Sequence, residues 1–218
     1  MGQAPSNAIL MGDIIGSERA EMAPLHARFN AEITRRNAAL EGALVSPLTI
    51  TLGDEFQGLF ARLEDAARTA RDMRLALLED GVACRFVIGQ ARIDTPVNAE
   101  RAWNMMGPGL GRARDMLNEK RPHQFYRFSL PDAPLTQTLL EAIGRAMGVI
   151  ERGWTAQQRR DIAAALGGAS AQDIAAARQV QDHSVYKVLR AGDYDTYAAL
   201  WDAASDALAA LDAEGVGK

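Results

Sequence analysis

Two aspartates in the first quarter of the chain keep the company that phosphate chemistry requires. Asp13 closes the apolar run Ala8-Ile9-Leu10-Met11 through Gly12, and Asp54 follows Gly53 between two apolar segments. Both fall at one edge of a sheet if their strands are neighbours. Unpaired carboxylates brought together repel, and an oxygen-seeking divalent cation such as Mg2+ relieves the repulsion. Beside Asp13, the stretch Gly12-Asp13-Ile14-Ile15-Gly16-Ser17 reads as a strand-to-helix turn. The backbone N–H groups of Ile14, Ile15, Gly16 and Ser17 are then placed to face an anion. A cation site next to an anion site suits a nucleotide polyphosphate. The same residue types also serve as turn formers and helix caps, and Ser17 has an N-cap reading. No lysine follows Gly16-Ser17, and no G-x-G-x-x-G follows a strand, so neither a P-loop nor a dinucleotide fingerprint is present.

The elements that must position these residues alternate. Ala8 to Met11 reads as a buried strand, Ala23 to Leu40 as a helix, and Leu44 to Leu52 with Phe56 to Phe60 as a hairpin around Gly53-Asp54-Glu55. Leu63 to Leu78 is a helix ended by Gly81, Val82 to Ile93 a long strand, Ala99 to Leu117 a helix, and Gln124 to Phe128 a last strand. The order β-α-β-β-α-β-α-β predicts an α/β or α+β sandwich with helices mainly on one face. Pro131-Asp132-Ala133-Pro134 is the linker candidate, dividing residues 1–130 from a helical part, 131–218. On the long strand, Arg85 and Arg92 read equally as phosphate contacts or as charges blunting an exposed edge. His26 and His123 are isolated, and Cys84 reads as a buried small residue.

The 218 residues are 48% hydrophobic and 24% charged, which excludes disordered, collagen-like and coiled-coil classes. One cysteine forbids an intramolecular disulfide, no apolar run reaches membrane-spanning length, and the start lacks a signal peptide's basic segment. The expectation is a soluble, cytoplasmic protein with no membrane partner. Net charge is −4, yet residues 145–190 hold 7 basic against 4 acidic side chains, and the last 28 hold 1 against 6.

The helical part holds Trp154 to Leu166, Ser170 to Arg178 and Asp182 to Arg190, with a short Gln179-Val180-Gln181 spacer. These three helices, about 154–190, form a helix-turn-helix candidate similar to those of bacterial regulators. On that reading His183, Ser184, Tyr186 and Lys187 present groups to a major groove while Arg178 and Arg190 contact DNA phosphates. A three-helix protein-contact module is the other reading. Tyr194, Tyr197, Leu200, Trp201, Ala204 and Leu208 then make a stripe on a C-terminal helix, core by the commoner reading and a homodimer helix by the other.

The segments MGDIIGS (11–17), LTITLGDEFQGLF (48–60), CRFVIGQARI (84–93) and GPGLGRAR (107–114) resemble the SatD family over roughly the first 128 residues. More distantly they resemble the class III nucleotide cyclase catalytic domain, which implies a cyclase-like, ferredoxin-type sheet. By that resemblance Asp13 and Asp54 match the metal-binding carboxylates and Arg114 the helical arginine that steadies the transition state. Leu110 stands where cyclases carry a transition-state Asn, and Ile50 where they carry a base-selecting Lys. Losing a positioned polar group of this kind costs about 10²–10³ in rate. The reading is therefore a cytoplasmic DNA-binding regulator whose first domain binds Mg2+ and a nucleotide without cyclising it. The alternatives are an active cyclase or nucleotidyltransferase, and a protein-interaction scaffold.

Overall fold

Strict alternation along the first strand already demands cover on both sides. Ala8 and Leu10 enter one buried cluster, and Ile9 and Met11 another. The computed structural model, which describes residues 6–19 and 21–216, places this strand, β1 (Ser6–Ile14), at the centre of a five-stranded sheet. It is followed by α1 (Met22–Ala39), β2 (Leu44–Leu52), β3 (Glu55–Phe60), α2 (Leu63–Glu79), β4 (Cys84–Arg92), α3 (Pro108–Asn118) and β5 (Tyr126–Ser129). The spatial order is β2-β3-β1-β4-β5, antiparallel except for the β4–β5 pair. The chain is thus a mixed α/β structure with the element order expected from its periodicity.

The larger cluster joins Leu10, Phe56, Phe86 and Phe128 of the sheet to Phe29 of α1 and Met73 of α2. Across the sheet α3 and the loop before it supply cover, Leu110, Ala113 and Leu117 of the helix and Met105 of the loop packing with Ile9, Met11, Leu59 and Val87. That leaves the α3 side of the sheet partly open beyond Met11.

The helix expected from residue 99 starts only at Pro108, because proline is preorganised for the first helical turn. Gly107 passes so close to β4 that a Cβ there would lie 2.0 Å from the Arg92 carbonyl oxygen. Five helices complete the chain: α4 (Pro134–Gly153), α5 (Ala156–Leu166), α6 (Ala171–Arg178), α7 (Asp182–Ala191) and α8 (Tyr194–Val216). Pro134, a linker residue in the sequence reading, opens α4. Capping boxes at Thr155/Gln158 and Ser170/Asp173 set the starts of α5 and α6, each Ser or Thr side chain meeting an orphan N–H. Gln179 takes the left-handed conformation (φ 55°) that ends α6.

A distinct helix-turn-helix domain does not emerge. Ile174, Ala175, Val185 and Leu189 are buried in the same cluster as the sheet's Phe86 and Tyr126, while Val180, expected between the two helices, is 37% exposed. The α8 stripe is likewise internal, with Tyr197, Ala204 and Leu208 buried and Tyr194, Leu200 and Trp201 packed against them, so it offers no dimer surface. No helix among the described residues is long and apolar enough to cross a membrane.

α2 begins without a capping side chain of its own. Asp212 of α8 supplies one, accepting from the N–H groups of Leu63 (2.8 Å) and Glu64 (3.2 Å) where the helix terminus favours negative charge. Asp212→Ala should cost about 1 kcal/mol in urea unfolding. No change in the midpoint would show the cap to be energetically silent.

Candidate functional site

Asp13 lies two residues beyond Met11 on β1, hence on the partly open α3 face. The strand register sets it directly opposite Arg85 of β4. The guanidinium donates twice to the carboxylate, Nε to Oδ1 at 2.5 Å and Nη2 to Oδ2 at 2.7 Å. Asp54 sits in the β2–β3 turn, and its Oδ2 accepts from the Ser17 hydroxyl at 2.5 Å. The chain returns this turn to the end of β1 through Ile14 N–H donating to the Asp54 carbonyl (3.1 Å). Burial raises the Asp13 carboxyl above its ordinary pKa against the lowering effect of Arg85, and the nearby Asp54 charge raises it further. The Ile14–Asp54 backbone bond thus sets the two carboxylate residues at the same end of the sheet.

Two expectations change here. Neither carboxylate is unpaired: the Arg85 guanidinium already offsets Asp13, and a hydroxyl holds Asp54. Among the described residues no group of three or more acidic, His or Cys side chains is gathered for a metal. The N–H groups of Ile14 and Ile15 do not face an anion but donate to the Asp54 and Ala83 carbonyls. Of that stretch, Gly16 and Ser17 remain. Gly16 has φ +76°, a conformation that favours glycine, and it turns the chain so that the Ser17 hydroxyl reaches Asp54.

Two clefts open near this end of the sheet, lined by chain neighbours of Asp13 rather than by either carboxylate. One, of about 420 Å³, is formed by residues 14–17, Leu25 and Arg28 of α1 and the Gly81–Ala83 turn. The other, of about 460 Å³, lies on the α3 face between Met11, Thr51, Gln57, Trp103, Leu110 and Arg114. Exposed Arg114 donates to the Gln57 side-chain oxygen (3.3 Å), and the Gln57 amide donates to the Ala102 carbonyl (2.6 Å). The Leu110 side chain is buried in the α3 packing and adds an apolar wall. Ile50 packs into the opposite, α1–α2 core, so the β2 side chain that reaches the cleft is Thr51. Sequence reasoning missed Thr51, Gln57 and Trp103. The alternation Met11, Asp13 on β1 and Gln57, Leu59 on β3 was the signal that could have put Gln57 on the site's face.

The DNA-facing set is not brought together with these residues. His183, Ser184, Tyr186, Lys187 and Arg190 lie on α7, with Tyr186 61% exposed. Arg178 is withdrawn from any phosphate role because its guanidinium pairs with the buried Asp161 carboxylate of α5. Stripping a partner from a buried carboxylate is costly, which keeps that arginine in place.

Compared with known families, residues 8–197 match the SatD family. The chain belongs to the SatD family. No curated protein matches it. Among solved structures this SatD-family chain is similar to a bacterial light-regulated adenylyl cyclase (17% identity, TM-score 0.42). The similarity covers 57% of this chain and 43% of that one. It is also similar to the guanylate cyclase domain of RhGC from Catenaria anguillulae in complex with GTP (16%, TM-score 0.40), over 56% of this chain and 76% of that one. A third likeness is to the catalytic core of a rhodopsin-guanylyl cyclase with converted specificity in complex with ATPalphaS (16%, TM-score 0.43; 62% and 81% covered). The SatD match runs through the sheet and on into the first residues of α8, so the family's shared sequence includes α4 to α7.

Proposed function

We propose that this SatD-family protein binds a nucleoside polyphosphate together with a divalent cation at the Asp13–Asp54 end of the sheet. The observation that carries the proposal is that the Ile14–Asp54 backbone bond sets two carboxylate residues at one end of the sheet, with clefts of about 420 and 460 Å³ lined by their chain neighbours. Both donors are hard oxygen ligands, and Mg2+ is commonly held by one or two carboxylates with the remaining positions left to water and phosphate. Asp13 and Asp54 would hold the ion, which offsets phosphate charge when bound. Arg85 and Ser17 orient the two carboxylates beforehand. Arg28, in the first cleft, and Arg114, in the second, supply cationic contacts to a polyanion.

The binding claim is tested by thermal shift with ATP, GTP and their diphosphates, each with and without Mg2+. A ligand at 100 times its Kd adds about 2.7 kcal/mol to stability. A shift that requires both nucleotide and Mg2+ supports the reading, and no shift with any of them overturns it. Cyclic nucleotide formation should be at the detection limit, because Leu110 presents a buried methyl surface where cyclisation needs a hydrogen-bonding group. Robust cyclic product that disappears in Asp54→Asn would instead make the protein a cyclase.

A second reading rests on one observation. His183, Tyr186, Lys187 and Arg190 share an exposed face of α7 at spacings of three and four, a geometry that can enter a DNA groove. Salt-dependent retention of duplex DNA that weakens in Lys187→Ala supports a DNA-binding regulator, and no retention at low salt removes it.

A further inference from the structure

α4 is apolar on two sides, and the fold uses only one. Leu140, Gly144, Met147 and Gly148 face β5 and the core. The opposite face carries Leu135, Leu139, Ala142, Ala146 and Val149, at spacings of four, three, four and three. Leu135 is 73%, Leu139 57% and Val149 59% exposed. A helix hydrophobic on both sides is one whose outer side has a partner. Spacing that averages 3.5 residues is the seam of a helix pair rather than the broader stripe of a core helix. The seam runs about 21 Å along the helix.

We infer that α4 is the interface through which two copies of this chain pair, with the two α4 helices antiparallel about a twofold axis at Ala142. The seam is complementary to its own reverse. In that arrangement Leu135 meets the second copy's Val149, Leu139 meets Ala146, and Ala142 meets itself, so apolar pairs close the two ends and the backbones approach closely at the alanine centre. The charges along one flank agree with the same axis. Glu141 lies across from the second copy's Arg145, and symmetry makes that contact twice. Within one chain neither Glu141 nor Arg145 forms a salt bridge among the described residues, and Arg145 Nε reaches only the Glu141 backbone carbonyl at 3.4 Å. The interface stands independently of the nucleotide reading, because β5 and α4 lie at one edge of the sheet and Asp13 and Asp54 on or beside its central strands.

A seam of four turns buries less than the roughly 800 Å² per partner of a standard stable complex, so the dimer should be reversible in the micromolar range. Sedimentation velocity from about 1 to 100 µM should show a monomer–dimer equilibrium in this range. Leu139→Glu places a charge in the seam and should weaken association about 100-fold or more without changing the circular dichroism, since the side chain is exposed in the monomer. Glu141→Arg and Arg145→Glu should each weaken it about threefold, and the combined exchange should restore it. Ala142→Cys should form a disulfide-linked dimer in air, with Cys84 not competing because it is fully buried. Leu52→Glu, on the opposite sheet edge, should dimerise as the parent does. The inference is overturned by a parent protein that stays monomeric throughout, by a dimer that survives Leu139→Glu, or by one lost in Leu52→Glu.

Discussion

Glu151→Ala should remove about 3–5 kcal/mol of stability, much of what a domain possesses, by leaving a charge buried without its partner. Glu151 is on α4, its side chain fully buried, and it receives the guanidinium of Arg74, whose side chain is 2% exposed. It also accepts from the hydroxyls of Tyr126 (2.7 Å) and Tyr197 (2.8 Å). Burial, reinforced by the Glu151 charge, raises both tyrosine hydroxyls well above their usual pKa, so both are donors at neutral pH. Arg74 further donates to the Cys84 carbonyl at 2.7 Å and lies 3.6 Å from the centre of the Phe125 ring. Truncating Glu151 therefore strands a guanidinium and two hydroxyls at once. Arg74→Met combined with Glu151→Met should cost less than Glu151→Ala alone, because both charges then leave the interior together. Urea unfolding measures both. A Glu151→Ala midpoint within about 1 kcal/mol of the parent would show that water or rearrangement satisfies Arg74.

The second large effect is on ligand. Asp13→Asn and Asp54→Asn should each abolish Mg2+-dependent nucleotide binding in calorimetry, since each removes one of two carboxylates available to the ion. Their side effects differ. Asp13→Asn removes a charge that burial disfavours and should leave apo stability equal or higher. Asp54→Asn keeps an oxygen for the Ser17 hydroxyl and should leave stability nearly unchanged, which makes it the cleaner probe. Metal-dependent affinity that persists in both variants would remove the proposed site.

The pH dependence has a definite sign. A carboxyl whose pKa is higher in the folded state contributes most to folding when protonated, and that contribution is lost as pH rises through the raised value. Metal binding needs the opposite form. Acidification should therefore weaken nucleotide binding at a pH above the usual aspartate range, while the apo protein gains from the same protonation. Titrating affinity and stability in parallel should show the two moving in opposite directions at Asp13's pKa.

What could be read in the sequence follows the range of the interactions. β1, the β2–β3 hairpin and α2 declare themselves through alternation, a Gly-Asp turn and a helical period, all local signals. The segment 99–107 looked helical because Ala102, Trp103, Met105 and Met106 are apolar, yet tertiary packing of Gly107 against β4 fixes it as a loop. Pro134 carried the information for a helix start as much as for a linker, and only the packing of Leu140 and Met147 distinguishes the two. Residue types and a family resemblance pointed to Asp13 and Asp54, and the fold sets both at one end of the sheet. The pairing of Asp13 with Arg85 was not legible, because it depends on the register between strands 72 residues apart. The same holds for Arg178, whose charge suggested a phosphate contact until Asp161 was seen to hold it.

The cap that α8 places on α2 has a consequence for how the protein is made. Leu63 N–H waits for an acceptor 149 residues later in the chain. At the usual elongation rate of 5–20 residues per second, that interval is roughly 7–30 s. Arg74 waits 77 residues for Glu151 over part of the same interval. During synthesis the sheet's first strands can pair while α2 still carries an open terminus and an unmatched buried cation. The final packing of α2 is thus completed only when α8 has left the ribosome.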